Sequence, residues 1–94
     1  MLRDDINNAL KAAMKAQDAR RVSTLRMVNA TIKNADIEAR TSGKAPGADE
    51  LKAVLAKMIK QRQESVELYD KGGRADLAGA EREEIAIISS FLPK

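Results

Sequence analysis

Apolar residues recur along this chain at three- and four-residue intervals and nowhere alternate with polar ones at period two, so the pattern predicts helices and no strands. The most demanding segment runs from Val22 to Arg40. At about 100° per residue, Val22, Leu25, Val28, Ile32, Ala35 and Ala39 form one stripe, while Met27, Ala30 and Ile37 fall on nearly the opposite side. A surface helix of a small bundle carries one such stripe and a polar back. The second patch therefore predicts that this helix is sandwiched, covered by the first helix or by another copy of the chain.

Upstream, Ile6, Ala9, Leu10 and Ala13 share one face of a helix expected from about Arg3 to Ala16, and Asp4 and Asp5 suit its positive end. Gln17 and Asp18 interrupt the pattern, and Asp18 is placed to cap the next helix through its carboxylate. So short a connection makes antiparallel neighbours. Thr41 to Gly47 collects most of the helix breakers and predicts the longest loop. A third helix starts near Ala48 or Asp49, carries Leu51, Val54, Leu55, Met58, Ile59, Val66 and Tyr69 as its stripe, and ends at Lys71, where Gly72 and Gly73 supply a left-handed stop. The fourth follows at once, with Leu77, Ala80, Ile85, Ile88, Phe91 and Leu92 inward until Pro93 ends it. The expected fold is all-α: a four-helix, mainly antiparallel bundle with a long central second helix.

Composition narrows the chemistry. Ninety-four residues make one domain with a modest core, and with Tyr69 and Phe91 as the only aromatics that core must be aliphatic. There is no cysteine, hence no disulfide and no thiolate nucleophile, and no histidine, which removes the commonest general base and metal ligand. The first residues carry Arg3, Asp4 and Asp5 with no apolar run behind them, which reads as neither signal peptide nor membrane span and makes a cytoplasmic protein the expectation. The net charge of +3 is uneven. Residues 1–48 hold nine basic and five acidic groups, residues 49–94 eight and nine, so the excess sits in the first half.

Two constellations stand out. Arg26, Lys33 and Arg40 recur every seven residues, which keeps them on one line of the second helix. Arg62 lies within the apolar stripe of the third helix, where an unpaired guanidinium would carry a large desolvation cost. If Gly73 centres an antiparallel hairpin, Arg62 and Glu84 are equidistant from it and lie level, with Glu81 as the alternative partner one turn away. A bidentate contact would fix the hairpin register, and the pair is read first as structural, with Arg62 as an anion site facing a groove as the functional alternative. The adjacent carboxylates Asp4/Asp5 and Glu83/Glu84 diverge by about 100° on a helix and make no acid–base pair. Ser23 to Arg26 gives Ser-x-x-Arg in place of Ser-x-x-Lys, and the glycines follow no strand as a phosphate loop would require. No catalytic residue, metal site or cofactor is expected, and catalysis by this chain alone is not anticipated.

Leu25-Arg26-Met27-Val28, Lys60-Gln61-Arg62 followed by Ser65, Gly73-Arg74-Ala75-Asp76-Leu77, and Ile85 through Phe91-Leu92-Pro93 together resemble the N-terminal domain of the YqeY-like proteins, the GatB/YqeY family, over essentially the whole chain. The resemblance implies a helical domain, residues 1–94, followed in the family by a smaller helical domain like the tail of the B subunit of glutamine-dependent aminoacyl-tRNA amidotransferase. On this expectation that second domain is absent, since the chain stops at Lys94 just past Leu92-Pro93. The family label is carbon-nitrogen ligase activity with glutamine as amido donor, and nothing in these residues resembles an amidase site. What the resemblance implies for function is a non-catalytic interaction module associated with tRNA-dependent amidation, using Arg26, Lys33, Arg40 and Lys60 as a basic surface toward tRNA or an amidotransferase-related protein. The alternatives are an accessory subunit of an amidotransferase, and a structural homodimer formed through Met27, Ala30 and Ile37.

Overall fold

The computed structural model describes residues 2–93, which leaves Lys94 outside, and contains four helices: α1 (Leu2–Lys15), α2 (Ala19–Ala39), α3 (Ala48–Lys71) and α4 (Ala75–Ser89). Their ends follow from local chemistry. Asp18 caps α2, its carboxylate accepting from the Arg21 amide at 3.2 Å. α1 closes with Gln17 in the left-handed region (φ 57°), the Asp18 amide reaching Ala13 O at 3.0 Å. α3 closes the same way with Gly73 at φ 73° and the Arg74 amide on Tyr69 O at 2.8 Å, and here glycine adopts that backbone without a Cβ penalty. α4 ends three residues before the expected limit. Pro93 disfavours helical backbone at Leu92, and the final turn tightens, with Phe91 N–H on Ile88 O and Leu92 N–H on Ser89 O.

The two short connections make α1 and α2, and α3 and α4, antiparallel neighbours. The core lies among all four helices: Ile6 and Ala13 from α1, Leu25, Val28 and Ile32 from α2, Leu51, Leu55 and Met58 from α3, and Ile87 and Ile88 from α4. α2 touches each of the other three, although α3 is the longest at 24 residues.

Within one chain the first helix does not cover the expected second apolar face of α2. Met27 rolls toward the core, while Ala30 is exposed and Ile37 is 46% exposed. The reason is where α1 lies: Arg3 holds Asp36 and Asn7 accepts from Asn29, so α1 covers the flank of α2 that carries Asn29 and Asp36 and leaves its back open. Ala30 and Ile37 are two turns apart, about 10 Å along the axis, and do not form a compact patch.

One buried polar group is unaccounted for. Thr24 is fully buried and its Oγ1 has no hydrogen-bond partner. An unsatisfied buried hydroxyl costs about 1–3 kcal/mol, so Thr24→Val is expected to raise folding stability by about 1 kcal/mol in urea unfolding. A loss of stability would mean that the hydroxyl is bonded in solution.

Candidate functional site

Helical phase sets the outer face of α2. Arg26, Lys33 and Arg40 are all exposed on its back, with Ala30 and Ile37 on the same strip. At 1.5 Å per residue the three cations stand about 10 Å apart. None of the three is in an ion pair among the described residues. The carboxylate bordering this strip, Asp36, is already engaged: Arg3 donates to it through both Nη atoms, at 2.6 and 3.0 Å. That hydrogen-bonded pairing, helped by the charge of Arg40, holds the Asp36 carboxyl below its ordinary range. The strip is therefore a line of free cations edged by a neutralised acid.

Lys60, the fourth cation of the expected basic surface, belongs to a different helix. It stands exposed on α3, about 160° around the helix from Met58. Phase within one helix ranks the exposure of its side chains; it does not bring two helices' backs onto one surface.

The strip runs off the C-terminal end of α2 into an open groove of about 600 Å³, lined by Arg3, Asp36, Arg40, Gly43, Lys44 and Pro46 among others. Arg3, Asp36 and Lys44 were not among the residues singled out from sequence. Arg3 and Asp36 lie 33 positions apart and meet only because α1 folds back on α2. Lys44 sits in the loop of breakers, whose path no periodicity encodes.

Arg62 occupies the opposite side of the molecule's logic, inside the packing. Its side chain is 12% exposed and that of Glu84 22%. The guanidinium is divided among three elements: Nε donates to Glu84 Oε2 at 3.1 Å, Nη1 to Met58 O at 3.0 Å and Nη2 to the Met27 sulfur at 2.9 Å. The contact with Glu84 is thus single, and the fork expected to grip one carboxylate instead ties α3 to both α4 and α2. This is why Met27 turns inward. Glu81, one turn before Glu84, has no hydrogen bond to Arg62; its carboxyl is pushed above the ordinary range, first by burial and then by the charge of Glu84 and a hydrogen bond shared with it, while Arg62 pulls the other way.

Among the described residues no group of three or more His, Cys, Asp or Glu side chains is placed to hold a metal ion, and no helix is long and apolar enough to cross a membrane. The geometry defines a small all-helical module with a basic outer strip and a polar tie at its centre. The chain belongs to the YqeY family, whose model, described as Yqey-like protein, matches residues 3–94. It is 39% identical over 85 residues to a protein of Vanderwaltozyma polyspora named "Altered inheritance of mitochondria protein 41, mitochondrial", covering 88% of this chain and 44% of that protein. Proteins of the same name from Lachancea thermotolerans (38% identity, 94% of this chain, 46% of the relative) and Kluyveromyces lactis (40%, 87% and 43%) match similarly. The chain thus spans a little under half the length of these curated relatives. Their names overturn the cytoplasmic expectation: the relatives are mitochondrial proteins, and an N-terminus without an apolar run did not encode that.

Proposed function

We propose that this chain is a non-catalytic helical interaction module that contacts tRNA through the outward strip of α2, in a role associated with tRNA-dependent amidation, as the family resemblance implies. Carried over from the relatives, the setting is mitochondrial. One observation carries the reading: Arg26, Lys33 and Arg40 lie exposed on one helical line with no salt-bridge partner among the described residues, beside an Asp36 already paired with Arg3. Free cations at regular spacing on a rigid helix suit a phosphate backbone, where Lys and Arg position the protein without reading sequence.

Fluorescence anisotropy with labelled tRNA across a salt series tests this. Three phosphate contacts predict a slope of log K against log salt of roughly −2.7. Lys33→Ala should reduce the slope by about 1, and Lys33→Glu should weaken binding further. Undetectable binding at low salt, or binding indifferent to Lys33, would remove the reading. Glutamine-dependent amidation of charged tRNA, measured with and without the protein, separates a binding module from an amidotransferase subunit.

A further inference from the structure

The strip on α2 does not stop at the helix end, and what it runs into differs in charge. Arg40 is both the last cation of the strip and part of the lining of the 600 Å³ groove, which Lys44 on the loop after α2 also lines. Of the four charged side chains lining the groove, Arg3 and Asp36 satisfy each other through two hydrogen bonds. Arg40 and Lys44 remain, both exposed and neither in an ion pair among the described residues, so the lining of this groove carries two positive charges without a salt-bridge partner, while Glu38 and Glu50 line an adjoining groove that Lys44 also borders. A backbone phosphodiester brings one negative charge; a terminal phosphomonoester brings between 1.5 and 2 at pH 7, with a second pKa of about 6. The charge balance of the groove fits the monoester. A second open groove of about 530 Å³ adjoins it, sharing Arg3 and Pro46 and adding Leu2, the buried Leu51 and the charged side chains of Asp4 and Lys52. A phosphate in the first groove would place the sugar and base attached to it toward this mixed surface, where Leu2 offers apolar contact and Lys52 a further cation.

Resting on the RNA reading above, we propose that the groove seats the terminal phosphomonoester of an RNA strand whose backbone follows Arg40, Lys33 and Arg26 along α2. The strip then supplies non-specific affinity, and the groove supplies polarity, because only the phosphorylated end of the strand matches it. Arg3 is a positioning residue here. By holding Asp36 it keeps that carboxylate from competing with the phosphate for Arg40.

The test compares two RNA oligonucleotides of one sequence, one ending in a 5′-phosphate and one in a 5′-hydroxyl, at a single salt concentration. The phosphorylated strand is expected to bind at least about fivefold more tightly, each charge-assisted contact being worth that much or more. Lys44→Ala should abolish the difference while leaving binding of the hydroxyl-ended strand nearly unchanged, and Lys33→Ala should weaken both strands alike. Adenosine 5′-monophosphate should compete only weakly, since it lacks the strip contacts. Equal affinity for the two strands, or a preference that survives Lys44→Ala, overturns the inference and leaves the RNA reading standing. Competition by the mononucleotide at concentrations equal to the RNA also overturns it, because the occupant would then be a free nucleotide. If neither strand binds, the RNA reading fails and takes this inference with it.

Discussion

Replacing Arg62 by leucine is expected to cost about 3 kcal/mol of folding stability, a large share of the 5–15 kcal/mol that holds a domain together. The side chain is mostly buried and serves three elements at once, so its loss leaves Glu84 without its cation, Met58 O without a side-chain donor and Met27 without its polar neighbour. The larger part of the cost is the stranded carboxylate. Glu84→Leu added to Arg62→Leu should therefore recover most of it, a coupling that a double-mutant cycle in urea measures directly. The deficit of the single variant should also shrink on acidification. Glu81 already has a raised carboxyl pKa, set first by burial and then by Glu84; without Arg62 it loses the charge that pulls it down, the folded state holds a proton that the unfolded state has released, and stability falls as pH rises through the folded value. Exposed pairs such as Arg82 with Asp70 and Arg74 with Asp76 should cost little when broken, and salt should mask them. If Arg62→Leu behaves like those pairs, the polar tie is not what fixes the α3–α4 register.

The comparison shows which features were written locally. Asp18, Gly72 and Gly73, and Pro93 mark helix limits because each acts on the backbone within a turn of itself, so boundaries were legible to within a few residues. The level placement of Arg62 and Glu84 was legible for a related reason: a tight turn between two helices converts numbering symmetry into spatial neighbourhood. What could not be read is which neighbour a given face meets. Met27 lies at the edge of the buried arc of α2, and its fate was decided by a guanidinium 35 positions away. Ile37 lies squarely on the back of the helix, and no feature of α2 itself says that α1 would lie along the Asp36 flank and leave Ile37 in solvent. The basic strip was legible because it belongs to a single helix. The groove at its end was not, since it needs α1, α2 and a non-periodic loop together, and phase within α3 is silent about where Lys60 stands relative to α2.

Truncating Ile6 to alanine is expected to cost about 2–5 kcal/mol, with its effect concentrated in one place. Ile6 is completely buried and is the largest core side chain that α1 contributes, the other buried member being Ala13. α1 lies chiefly along α2 and is 14 residues long, a length at which a helix without packing is marginal in water. Losing its anchor should thus undock and melt α1 before the α3–α4 hairpin yields. Amide exchange would show protection lost in residues 2–15 and largely kept in α3 and α4. The same variant reports on the candidate site, because Arg3 leaves with α1. The Asp36 carboxyl, now held low by Arg3, should rise toward its ordinary pKa. In the parent, that depressed value adds stability above the unfolded pKa, which is lost as pH falls through the folded value; in the variant this acid-side loss should largely vanish. An unpaired Asp36 one turn from Lys33 and Arg40 then weakens anion binding even though no residue of the strip has changed. Protection lost equally from all four helices, with Asp36 still titrating low in the folded molecules, would show that α1 is an integral part of a single cooperative core and that the strip does not depend on its docking.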